Sequence, residues 1–110
     1  MKIKNKLIAL IPARSGSERI KNKNILNFFG HPLLAYSIKS AIKSKIFDKV
    51  LLSTDSQKYA NIAKKYGAEV PFVRPKKISK STSNDFEWIS YTLKKLEKNN
   101  EKFTHFFILR

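Results

Sequence analysis

Apolar positions along this chain follow two alternating rhythms. Residues 7–11 (LIALI) form a continuous apolar run of strand length closed by Pro12, the pattern of a strand buried on both faces. Residues 13–24 hold Gly16 and several charges without an apolar period, and read as a loop. From Pro32, a residue suited to a helix's first turn, Leu34, Ile38, Ala41 and Ile42 keep helical spacing, which predicts a helix over 32–45. Residues 49–54 (KVLLST) predict a second short buried strand. Asp55 or Ser56 can cap a following helix that carries Tyr59, Ile62, Ala63 and Tyr66 to Gly67, the glycine expected just past a helix end. Residues 69–73 predict a third strand and 74–83 a polar loop. Asn84, with Glu87 three residues on, makes a capping pair for a helix whose Phe86, Ile89, Leu93 and Leu96 share one face. Residues 103–109 predict a fourth strand.

Strands alternating with helices specify an α/β fold with a mainly parallel sheet and right-handed crossovers, a Rossmann-like arrangement. Sheets of this type bind ligands beyond the carboxyl ends of their strands. Polar loops begin there at Arg14, Asp55 and Arg74, and Arg110 ends the fourth strand. Three positive charges converging on one crevice, opposed by Asp55 alone, predict an anionic small ligand. The last strand is apolar and nothing follows it to cover the sheet edge, so the 110 residues are read as the N-terminal part of a longer protein, with a sheet incomplete at its C-terminus.

Composition narrows the chemistry. Hydrophobic residues make up 42% of the chain, which sets it apart from disordered sequences and predicts a globular domain. No apolar run approaches the ~20 residues of a membrane span, so a cytoplasmic protein without a membrane partner is expected. The absence of cysteine excludes disulfides, thiolate metal sites and thiol catalysis within these residues. The net charge of +15 invites a nucleic-acid reading, but all except four of the 23 basic residues are lysines scattered along amphipathic segments, the pattern of a solvated surface. No nucleic-acid partner is therefore expected. The four arginines, Arg14, Arg19, Arg74 and Arg110, instead fall at the ends of apolar runs or in loops. His31 is assigned to a turn, His105 to packing or the sheet edge, Asp55 to a helix cap, and Tyr59 and Tyr66 to the core or its rim. Trp88 receives no role.

The Walker pattern is absent, and glycines at only positions 16, 30 and 67 make a G-x-G-x-x-G turn impossible. After the first strand stands IPARSGSERIKNKNI, in which a Gly/Ser turn can present backbone N–H groups while Arg14 and Lys23 bring charge from either side. This stretch resembles the nucleotide-binding signature of the acylneuraminate cytidylyltransferase (CMP-sialic acid synthetase) family. The segments FFGHPLLAYSIKSAI, VLLSTDS, YGAEVPFVRPKKIS and FFILR resemble further family segments in the same order, and the likeness extends over essentially the whole chain.

The resemblance implies a three-layer nucleotidyltransferase fold, with residues 1–110 as the N-terminal nucleotide-binding part of a single cytidylyltransferase domain. It also implies transfer of CMP from CTP to a nine-carbon α-keto acid sugar of the sialic, legionaminic or pseudaminic type, with Mg²⁺ and a homodimeric full-length protein. By position, Arg14, Ser17, Lys23 and Asn24 would hold the phosphates, with Lys23 and Arg14 as catalytic cations. Arg74, Ser83 and Asp85 would approach the nucleoside, and Arg110 would stand where nucleotide and sugar meet. The metal ligands are expected in a second half of the protein rather than in this chain. Glu18, Lys21, Lys80 and Ser81 depart from the family pattern. Two alternatives stand beside this reading: a 3-deoxy-manno-octulosonate cytidylyltransferase, and a non-catalytic basic module that binds nucleotides or nucleic acid.

Overall fold

The computed structural model describes residues 5–16, 22–78 and 84–110. The expectations for Ser17, Glu18, Arg19, Lys21, Lys80, Ser81 and Ser83 lie outside the described residues. Strand β1 (Leu7–Pro12) occupies the centre of a three-stranded parallel sheet, between β4 (Lys49–Ser53) and β5 (His105–Ile108). Leu10 pairs with Leu51 on one side and with Ile108 on the other. A two-residue-per-strand hairpin, β2 (Asn27–Phe28) and β3 (His31–Pro32), precedes helix α1 (Leu33–Ser44). Helices α2 (Gln57–Lys65) and α3 (Asp85–Lys98) complete the element order.

The two-residue period of β1 sorts its side chains between two cores. Ala9 and Ile11 face one cluster with Leu34, Ile38 and Ala41 of α1 and Tyr59, Ala60 and Ala63 of α2. Ile8 and Leu10 face the other, against Leu51 and the α3 residues Trp88 and Leu96. Strands β1 and β4 are therefore covered on both faces, which explains why the central strand reads as an unbroken apolar run, whereas β5 at the sheet edge leaves Phe106 and Phe107 exposed. Ile8, Leu10, Leu51 and Leu52 are completely buried, and each contributes about 1.5–3 kcal/mol on that account. The predicted Rossmann-like α/β fold is the one observed. Among the described residues no helix is long and apolar enough to cross a membrane.

Three local expectations change. Residues 69–73 do not form a strand: Glu69 makes one parallel bridge to Leu51, donating to Val50 O at 2.9 Å and accepting from Leu52 N at 3.0 Å. The next ladder donor in a parallel register would be residue 71, which is Pro71 and has no N–H. Bonding to the β4 segment resumes where Arg74 N donates to Thr54 O at 2.9 Å. In α3, Phe86 is exposed, and the buried stripe is Trp88, Thr92 and Leu96. Phe86 sits in the first turn, about 200° round the helix from Trp88. Finally, Ser56 rather than Asp55 caps α2, its hydroxyl accepting from Tyr59 N at 3.2 Å. Asp55 is turned to a different task, described below. Gly67 lies past the end of α2 at φ 101°, in the position anticipated.

Candidate functional site

Parallel pairing places the carboxyl ends of β4, β1 and β5 along one sheet edge, and the loops leaving them surround a cleft of about 370 Å³. Arg14 enters it from the loop after β1, and Lys23 and Asn24 from a single 3₁₀ turn at Lys23–Ile25. Arg74 enters from the segment bonded alongside β4, Asp85 and Trp88 from the first turn of α3, and Arg110 from beyond β5. Leu33, Leu34 and Ser37 at the start of α1 supply another wall. Six of the residues singled out in the sequence, Arg14, Lys23, Asn24, Arg74, Asp85 and Arg110, thus line one cavity.

Local bonds hold these side chains in place. The Arg14 guanidinium donates to Gly16 O, and Asn24 Nδ2 donates to Arg14 O at 3.2 Å, so the β1 loop is folded over the 3₁₀ turn. Asn22 introduces that turn at φ 56°, its side chain accepting from the buried Tyr59 hydroxyl at 3.1 Å. Asn tolerates this left-handed conformation better than most residues, which suits it to the position. Asn84 caps α3 by accepting from Glu87 N at 3.0 Å, as the capping pair predicted, and so orients the helix turn that bears Asp85 and Trp88.

Arg74 is the most distinctive group. It is 4% exposed, its guanidinium carbon lies 5.5 Å from the centre of the Trp88 ring, and its Nε has no hydrogen-bond partner among the described residues. Burial pulls its pKa below the ordinary arginine value; Asp55 and Asp85 oppose the shift and Arg14 adds to it. The group nevertheless stays charged, as arginine does throughout the accessible pH range. Trp88, which carried no expectation, is therefore a wall of the site: its face meets Arg74 and its Nε1 donates to Asp85 Oδ1 at 2.9 Å. Asp85 Oδ2 accepts from Arg110. The Trp88 and Arg110 bonds together hold the Asp85 carboxyl below its usual range.

Asp55 does not line the cleft. Its carboxylate, whose side chain is 3% exposed, accepts from Ser15 N at 2.8 Å and Ser15 Oγ at 2.9 Å and pairs with Lys76 Nζ at 2.7 Å. Burial alone would raise its pKa; the bonds from Lys76 and Ser15 outweigh that and lower it. Lys76, missed in the sequence, differs from the scattered surface lysines only in standing two residues after the buried Arg74. Among the described residues no group of three His, Asp or Glu converges, and Asp55 and Asp85 are both committed to protein donors. These carboxylates do not fit the Mg²⁺ that the resemblance implies.

A cleft of four cations at the carboxyl edge of a parallel sheet defines an α/β protein built to take an anionic ligand. Comparison with known proteins agrees: a family model described as cytidylyltransferase matches residues 8–104, and the chain belongs to that family. It is 42% identical over 100 residues to a pseudaminic acid cytidylyltransferase of Campylobacter jejuni subsp. jejuni serotype O:23/36 (strain 81-176), covering 91% of this chain and 43% of that protein. It is 47% identical over 94 residues to a Helicobacter pylori (strain ATCC 700392 / 26695) protein named as pseudaminic acid cytidylyltransferase and UDP-2,4-diacetamido-2,4,6-trideoxy-beta-L-altropyranose hydrolase, covering 86% of this chain and 18% of that one. An N-acylneuraminate cytidylyltransferase of Escherichia coli O18:K1:H7 (strain RS218 / NMEC) is 44% identical over 91 residues, 83% of this chain and 22% of the relative. The chain thus spans less than half the length of these relatives. Among solved structures, a CMP:2-keto-3-deoxy-manno-octonic acid synthetase complexed with CTP superposes with TM-score 0.68 at 20% identity, over 94% of this chain and 40% of that chain, a likeness of fold.

Proposed function

We propose that the cleft binds CTP and that the protein transfers its cytidylyl group to a nine-carbon α-keto acid sugar of the sialic, legionaminic or pseudaminic type. The observation that carries this reading is the convergence of Arg14, Lys23, Arg74 and Arg110 on one cavity, with the Arg74 guanidinium buried and its Nε unpartnered among the described residues. A polyphosphate offsets that charge better than any protein group nearby. In the reaction the anomeric hydroxyl oxygen of the sugar bonds to the α-phosphorus, the bond to the β-phosphate oxygen breaks, pyrophosphate departs, and the hydroxyl proton passes to solvent. Lys23 and Arg14 stabilise the negative charge spread over the phosphates, a task of positioning and electrostatics. The names of the relatives that are 42–47% identical favour a nonulosonic acid acceptor over 3-deoxy-manno-octulosonate, for which the likeness is one of fold alone. A cytoplasmic location and a homodimer belong to the same reading.

Calorimetric titration at fixed salt tests it. CTP is expected to bind more tightly than ATP, and Lys23→Ala to weaken CTP by roughly ten- to a hundredfold, the worth of one charge-assisted contact, with little change in the unfolding midpoint. Equal weak binding of every nucleotide, and of DNA and RNA with a steep common salt dependence, would instead identify a general polyanion surface.

A further inference from the structure

We infer that Asp55 is a positioning residue that sets the spacing of the two cleft guanidiniums, Arg14 and Arg74. The inference rests on the nucleotide reading above and concerns a carboxylate outside the cavity. Arg14 and Arg74 carry like charges and stand 60 positions apart in sequence. Each belongs to a segment leaving the same end of the sheet, and nothing in their own chemistry holds them together. Asp55 does so through their neighbours.

Its Oδ1 takes the backbone N–H of Ser15, the residue after Arg14, and its Oδ2 takes the Ser15 hydroxyl and the ammonium of Lys76, two residues after Arg74. Lys76 Nζ also lies 3.3 Å from Ser15 Oγ, so the three side chains form a closed ring of bonds. The backbone repeats the tie, with Ala13 N donating to Ser53 O and Arg74 N to Thr54 O, both at 2.9 Å. The carboxylate is buried while most of the Lys76 side chain is exposed. Asp55 is therefore the fixed member and Lys76 the strap drawn onto it. Its negative charge also offsets the repulsion that Arg14 exerts on Arg74. A buried carboxylate with every oxygen engaged is a costly way to cap a helix that Ser56 already caps; its position between two cation-bearing loops accounts for that cost.

The test uses the intact chain, with amide exchange at Ser15 and CTP affinity as separate readouts. Asp55→Asn and Lys76→Met are each expected to weaken CTP by about tenfold, the loss typical of a residue that orients binding groups without touching the ligand. Their double variant should lose little more than either alone, since both break one ring. Lys76→Arg, which can keep the ion pair, should retain wild-type affinity. Slow exchange of the Ser15 amide in the wild type should become fast in Asp55→Ala, which removes the acceptor oxygen that Asn would keep. Lys76→Met leaves the Ser15 bonds intact, so it reports on the strap even where Asp55→Asn fails to fold. Wild-type CTP affinity in Lys76→Met, or equal exchange of the Ser15 amide with and without Asp55, overturns the proposal. If the wild type binds no CTP, the functional reading falls and the positioning role falls with it. Slow Ser15 exchange in that case would leave Asp55 as a purely structural tie and show that the functional reading, not the geometry, was at fault.

Discussion

At the scale of single residues the decisive group is Arg74. Removing a charge from water costs several kcal/mol, and a stacked aromatic face returns about 0.5–2 kcal/mol of it. The Trp88 face and the two more distant carboxylates therefore leave the guanidinium under-compensated until an anion arrives. Arg74→Met keeps the side-chain bulk against Trp88 and discards the charge. Urea unfolding should show a gain of about 1 kcal/mol, and thermal unfolding a midpoint higher by roughly 4–8 °C for a domain of this size, while CTP affinity falls at least tenfold. Stability lost with affinity retained would make Arg74 a structural residue. Arg14, Arg74 and Arg110 were legible because each stands where a predicted strand ends, and Lys23 because it flanks the Gly/Ser turn; Asn24 and Asp85 entered only through the resemblance to the family's motifs. Trp88 and the Asp55 ring were not legible, because their roles depend on side-chain directions between segments far apart in sequence: Ser15 and Asp55 are 40 positions apart.

At the scale of elements, two substitutions separate folding from site assembly. Asn84→Ala removes the α3 cap and should cost about 1 kcal/mol. Because the first turn of α3 carries Asp85 and Trp88, CTP affinity should fall as well. Gly67→Ala strains a residue at φ 101° and brings a Cβ to 2.9 Å from Ile42 Cδ1, so it should cost at least as much stability. Neither Gly67 nor Ile42 lines the cleft, and affinity should stay at the wild-type value. Calorimetry and urea titration on the two variants distinguish these outcomes. The helices and the three paired strands were legible because period and caps agree along each of them. The failed strand at 69–73 was marked by Pro71, whose effect depends on which residues of a parallel ladder donate, and that in turn depends on register. Strands as short as Asn27–Phe28 and His31–Pro32 offer no period at all; the signal there was the Phe29–Gly30 turn, with both residues at positive φ.

At the scale of the whole molecule, the excess of 15 positive charges acts on everything at once. At about 0.01 M ionic strength the screening length is about 30 Å, well beyond the 14.0 Å radius of gyration, so every lysine repels every other; at about 0.15 M it is about 8 Å and most of that repulsion is gone. Exposed ion pairs such as Arg110–Asp85 weaken over the same range, but each contributes about 0–1 kcal/mol, and those among the described residues are too few to outweigh the net charge. Sodium chloride should therefore raise the urea midpoint across this interval; a fall would mean that the paired charges dominate. Pyrophosphate at matched ionic strength should raise it further, because an anion that binds only the folded cleft adds a mass-action term that a screening ion lacks. Lys23→Ala should abolish that second increment and leave the first intact. This separates the dispersed charge of the lysine-rich surface from the few cations that converge at the carboxyl edge of the sheet.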